Sequence, residues 1–167
     1  MAILDILHFP DPRLRTVAQP VTEVDASLRQ LIDDMLETMY KAPGIGLAAT
    51  QVNVDKRVVV IDVSEEKERP LCLINPEILE LSGTEEMEEG CLSVPGHWWE
   101  ITRPAFARVK ALDLDGNEVE YAGDGLLGRV LQHEVAHLDG GLLIDALSRR
   151  ERKKALKELR NENLGLT

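Results

Sequence analysis

The spacing of apolar positions along the chain changes period twice. Leu28, Leu31, Ile32, Met35, Leu36 and Met39 recur at intervals of three and four, which gathers them on one face of a helix. Asp25 or Ser27 can cap that helix, and Pro43-Gly44 stops it. Ahead of it, Pro10, Pro12 and Pro20 favour an extended or turning arm. Residues 57–63, 71–74, 107–114 and 118–121 then carry β-branched or alternating apolar side chains between turn signals, and Asp115-Gly116 reads as a hairpin turn. Helical spacing returns over 124–138, with Asp124 as its cap and Gly140-Gly141 near its end, and again over 148–161. This order predicts an α+β fold, mainly antiparallel strands around a central helix at 124–138, with one helix towards each terminus.

Composition narrows the class. A chain of 167 residues, 44% apolar and 29% charged, fits one soluble domain, so 1–167 is expected to form a single domain ending in a basic helix at about 148–161. No apolar run reaches the ~18 residues that suggest a membrane span. The first ten residues lack the pattern of a secretory signal, so no membrane association and a cytoplasmic location are expected. Two cysteines are too few for a disulfide framework, and Cys72, inside an apolar run, reads as an inert buried thiol. The net charge of −11 argues against specific nucleic-acid binding. That average hides a contrast, because residues 149–160 hold seven basic and two acidic side chains on an otherwise acidic chain.

Three segments carry candidate chemistry. In Gln132-His133-Glu134-Val135-Ala136-His137, the two histidines are four positions apart on the predicted helix, so both imidazoles leave the same face and can meet one ion. Glu134 lies about 100° around the axis from His133, near such an ion without needing to bind it. A catalytic site of this kind needs a third protein ligand and one open position. Leu143 stands where a metzincin would have its third histidine. Glu158, 21 residues after His137, would complete a thermolysin-like peptidase, although it lies in the basic tail. Cys91, after Gly90, is the better third ligand, since a metal would ionise its thiol and leave the fourth corner open. Gly44-Ile45-Gly46-Leu47-Ala48-Ala49-Thr50-Gln51 is either a glycine turn after the first helix or a close-approach segment whose amide can stabilise an oxyanion. Trp98-Trp99 reads equally well as the aromatic lips of a peptide groove or as core.

Together the segments resemble the three motifs of the peptide deformylase family: 44–51 resembles GxGxAAxQ, 89–93 matches EGCLS, and 132–140 resembles QHExxHLDG, in the same order. Similarity runs from Ile6-Leu7-His8 and the 11–15 arm through Arg103-Pro104 to the last helix. The resemblance implies hydrolysis of the formamide on N-formylmethionyl nascent peptides, with release of formate. By the same resemblance Cys91, His133 and His137 hold one divalent ion, Glu134 is base and acid, and the Gln51 amide with the Leu92 N–H forms the oxyanion hole. Ile45, Gly46 and Glu89 lie around the substrate or support the site. The ion is expected to be Fe²⁺, with Zn²⁺, Ni²⁺ or Co²⁺ accepted. Arg149, Arg150, Lys153, Lys154 and Lys157 could contact the ribosome; the alternative is a solvated helix anchored by Leu156 and Leu159. Ala136 departs from the Asp usual between the two histidines, which puts the local support of that helix in question.

Overall fold

Strand β2 (Val58–Ile61) explains the layering of the computed structural model, which describes residues 2–164. All four of its residues are buried, and successive side chains leave opposite faces of the sheet. Val58 and Val60 pack with Leu28, Ile32, Met35 and Met39 of helix α1 (Ala26–Lys41). Val59 and Ile61 pack with Val130, Leu131 and Leu138 of helix α2 (Gly125–Leu138). A strand covered on both faces needs an unbroken apolar run, which the sequence Val-Val-Val-Ile supplies, and each such side chain contributes roughly 1.5–3 kcal/mol on burial.

The main sheet has five strands in the order β1-β2-β3-β6-β7, where β1 is Gly46–Ala48, β3 Leu71–Ser82, β6 Phe106–Leu112 and β7 Glu118–Gly123. Every pairing in it is antiparallel. The β6-β7 turn falls at Asp115-Gly116 as expected, with Gly116 at φ 80°. A separate antiparallel pair joins β4 (Glu85–Gly90) to β5 (Trp98–Arg103).

The chain differs from the sequence expectation in its strands more than in its helices. β3 continues for 12 residues through Asn75-Pro76, a dipeptide that normally marks a turn. There the ladder shifts register, Asn75 takes φ 52°, and its side chain bonds Val21 N at 2.7 Å and Val21 O at 2.8 Å. The irregularity therefore serves as the anchor of the N-terminal arm. β1 is too short for a periodic signal, and β4 is Glu-Glu-Met-Glu-Glu-Gly, a composition with little intrinsic strand preference.

The helix boundaries follow their caps. Asp25 accepts from Leu28 N at 2.9 Å to start α1, and Ser148 accepts from Glu151 N at 3.2 Å to start α3 (Arg149–Asn163). Asp124 occupies the N-cap of α2 but makes no side-chain capping bond. Leu159 anchors α3 as expected, but Leu156 is exposed and Ala155 is the second buried contact, in a cluster with Val94, Ile101, Leu143, Ile144 and Leu147. No helix among the described residues is long and apolar enough to cross a membrane.

Candidate metal centre

Helix α2 is buried along most of its length, including Arg129, Gln132, His133, Glu134 and His137. Each of these polar groups must therefore find a partner or lose free energy. Arg129 donates to Ile101 O at 2.9 Å and Glu85 O at 2.8 Å, tying α2 to the β4-β5 pair. Gln132 donates to Pro104 O at 2.9 Å. These bonds fix the helix so that His133 and His137 face the segment that follows β4.

Cys91 lies in that segment, one residue beyond Gly90. Its Sγ is 3.3 Å from His137 Nε2, and His137 Nε2 is 3.1 Å from His133 Nε2. One donor atom from each of the three residues lies within 4.8 Å of the others. Donors ~2.0–2.1 Å (nitrogen) and ~2.3 Å (sulfur) from a tetrahedrally held ion stand ~3.3 Å apart for N–N and ~3.6 Å for N–S. The three groups are thus spaced as ligands of one small cation would be. Burial raises the Cys91 thiol, but the charges of His137 and His133 outweigh it and hold the group well below its ordinary value. Gln51 Nε2 and Ser93 N–H, each 3.5 Å away, also favour the thiolate, the form that binds metal.

Glu89, the last inward-facing residue of β4, holds the first histidine. Its Oε2 is 3.3 Å from His133 Nδ1, which leaves His133 Nε2 for the shared site. Arg103 donates to both Glu89 oxygens at 2.7–3.2 Å, and Arg129 lies 3.5 Å from Oε1. Burial pushes the Glu89 carboxyl up, but the bonds from His133 and Arg103 prevail and bring it to about 2. Burial opposes a proton on His133, yet the charges of Glu134 and Cys91 prevail and raise its affinity well above the ordinary range. The cluster is rich in negative charge, and a divalent cation answers that need as well as a proton does.

Glu134 differs from Glu89. Its carboxyl is raised above the ordinary range, first by burial, and its Oε1 has no hydrogen-bond partner. Oε2 lies where β1 passes: a Cβ built on Gly46 would stand 2.5 Å from it. Glycine at 46 is what allows the strand and the carboxylate to share this space. Gln51, in the short 3₁₀ turn Ala49–Val52 after β1, is clamped by its Oε1 accepting from Ala48 N at 2.9 Å and its Nε2 donating to Ser93 Oγ at 3.0 Å. A 540 Å³ cavity opens beside these groups, lined by Ile45, Gly46, Gln51, Leu92, His133 and Glu134 among others.

The structure brings Ile45, Gly46, Gln51, Glu89, Cys91, Leu92, His133 and Glu134 to this one cavity, with His137 just behind Cys91. Glu158 is exposed on α3 and takes no part, so the thermolysin-like alternative loses its third ligand. Three contributors were not picked out from the sequence. Arg129 could have been noticed as a lone cation on an apolar helix stretch, and Arg103 as the residue before Pro104, whereas Ser93 carried no signal beyond its motif. At position 136 the backbone carbonyl accepts from Gly141 N at 2.8 Å, and Arg57 meets Asp139 at 3.0 Å at the end of α2.

A half-buried cysteine sulfur and two buried imidazoles converging beside a carboxylate with one unpaired oxygen and a cavity define the site of a metal-dependent hydrolase. The comparisons specify it further. The sequence model of the family described as polypeptide deformylase matches residues 3–153, and the chain belongs to that family. It is 58% identical over 164 residues to the peptide deformylase of Cellvibrio japonicus, covering 98% of this chain and 97% of that one. It is 57% identical over 166 residues to the peptide deformylase of Pseudomonas aeruginosa, covering 98% of each. The crystal structure of a peptide deformylase from Legionella pneumophila superposes with a TM-score of 0.91 at 46% identity, over 97% of this chain and 96% of that one.

Proposed function

We propose that residues 1–167 work as one catalytic domain, with the strand-flanked α2 as its central helix, and that the cavity beside Glu134 is its active site. The enzyme is a peptide deformylase, removing the N-formyl group from the methionine of newly made peptides. The convergence of Cys91 Sγ with the two histidine Nε2 atoms, next to Glu134, carries the assignment of roles. When bound by those three residues, a divalent ion lowers the pKa of water and polarises a carbonyl.

The protein's own groups do the rest. Glu134, buried and with one oxygen free, accepts a proton from the attacking water and later delivers it to the departing amine. Charge builds on the formyl oxygen as the carbon becomes tetrahedral, and the Gln51 amide with the Leu92 N–H receives it. Removing one such donor typically costs ~10²–10³ in rate. The bonds to Ala48 and Ser93 fix the Gln51 amide in advance, so little reorganisation accompanies the reaction. Ile45 and Gly46 border the substrate, and Glu89 orients His133.

Family resemblance favours Fe²⁺ as the ion and the cytoplasm, where nascent chains appear, as the location; Zn²⁺, Ni²⁺ and Co²⁺ suit the same donors. The basic face of α3, carrying Arg149, Arg150, Lys153, Lys154 and Lys157, is a docking face for the ribosome, since only Ala155 and Leu159 of that helix are buried. Formate release from a formyl-methionyl peptide by anaerobically purified protein, with metal analysis, tests the assignment; metal-loaded protein that releases no formate would refute it. Ribosome co-sedimentation unchanged by removing 149–167 would refute the docking face.

A further inference from the structure

The two adjacent tryptophans have separate fates. Trp99 turns inward, stacks on His97 with ring centroids 5.6 Å apart, and packs with the cluster under α3. Trp98 is 62% exposed, the first residue of β5, and lines the mouth of the active-site cavity. It is paired with Gly90, and a Cβ at position 90 would stand 2.6 Å from its indole Nε1. The absence of a side chain at 90 lets the indole come close against the strand just before Cys91. An exposed aromatic in that position places a broad apolar face beside the path of any peptide leaving the site.

The surroundings of that face are acidic. In the β4-β5 register Glu88 pairs with Glu100 and Glu86 with Thr102, so these residues share the exposed face with Trp98, and Glu88 itself lines the cavity. Among the described residues no Lys or Arg forms an ion pair with Glu86, Glu88 or Glu100. A Lys or Arg side chain meets both needs at once, with its methylene stem on the indole and its charged head towards the carboxylates.

Building on the deformylase reading, we propose that Trp98 is a specificity-determining residue: its indole, flanked by Glu88 and Glu100, receives a basic side chain of the substrate downstream of the formyl-methionine. The test is formate release from formyl-methionyl tetrapeptides with Lys or Glu at the second, third or fourth position. At one or more positions kcat/KM for Lys exceeds that for Glu by roughly fivefold, expressed mainly in KM. Trp98→Ala brings this ratio close to one, Trp98→Phe keeps most of it, and the double variant Glu88→Gln/Glu100→Gln also reduces it. Damage to the fold would scale both peptides alike and leave the ratio in place. Wild-type enzyme that releases formate without discriminating Lys from Glu, or a ratio untouched by Trp98→Ala, overturns the role of Trp98 and leaves the deformylase reading standing. Metal-loaded wild type inactive on every formyl peptide would instead overturn the reading beneath it.

Discussion

Two regions of this molecule bury charge, and they do so in opposite ways. Asp62, fully buried just beyond β2, has both oxygens occupied by its own chain: Oδ2 accepts from Tyr40 OH at 2.6 Å, and Oδ1 from Ser64 N at 2.9 Å and from Ser64 Oγ. The cluster on α2 leaves Glu134 Oε1 and His137 Nδ1 unpaired and presses a sulfur against two imidazoles. A buried charge saturated by neighbouring donors is architecture. One left unsaturated beside a cavity is poised for something the chain does not itself contain.

The largest expected effect tests the unsaturated side. Cys91→Ala removes the sulfur donor of this cluster, and the purified protein should lose its metal and with it all turnover; full metal occupancy in this variant would dissolve the contrast. Glu134→Gln keeps all three ligands, so metal content should match wild type while kcat falls by ~10²–10⁴, the range for loss of a general acid–base group. An active, metal-replete Glu134→Gln enzyme would mean that the unpaired oxygen has no chemical task. Glu89→Gln sits between the two regions, because Glu89 is saturated by Arg103 yet touches a ligand. Metal affinity should drop ~10–100-fold, the usual effect of losing a ligand's hydrogen-bonded support, and competition with a chelator measures it directly.

How far this contrast could be read beforehand depends on the distance over which each signal acts. HExxH is local: helical spacing alone puts His133 and His137 on one face, and the helix formed where that spacing lies. Caps at Asp25 and Ser148 were likewise legible, since they act over three residues. Cys91 could be singled out by its chemistry, but its meeting with α2 depends on β4-β5 pairing, a long-range contact that the Glu-rich strand does not advertise. Arg129 and Arg103 stood out only as cations in unusual settings; their roles could not be assigned for the same reason, as their shared partner Glu89 comes from that hairpin. The fate of Trp98 against Trp99 turns on strand parity, and parity cannot be assigned to a strand that was not anticipated.

The saturated region should respond weakly. Tyr40→Phe removes one donor from Asp62 and is expected to cost ~1–3 kcal/mol of stability, measured by urea denaturation, while kcat stays near wild type. A large loss of turnover would show that the Asp62 network reaches the site, which Asp62 N donating to Ile45 O at 2.8 Å makes worth testing.

Alkaline pH gives the finest discrimination. Burial, and then the bond to Asp62, push the Tyr40 hydroxyl up to about 12, against ~10 for an unfolded tyrosine. The folded-state pKa is the higher one, so below pH ~10 both states keep the proton and the contribution is fully present. Between pH ~10 and about 12 the unfolded chain ionises while the folded chain does not, and this stability is progressively lost as pH rises. Tyr121, also raised chiefly by burial, titrates in wild type and variant alike and cancels in the difference. The stability advantage of wild type over Tyr40→Phe should therefore be constant from pH 8 to ~10 and shrink above it. An advantage that persists unchanged at pH ~12 would mean that Tyr40 gives Asp62 no proton-bearing bond, and the self-satisfied half of the comparison would fail.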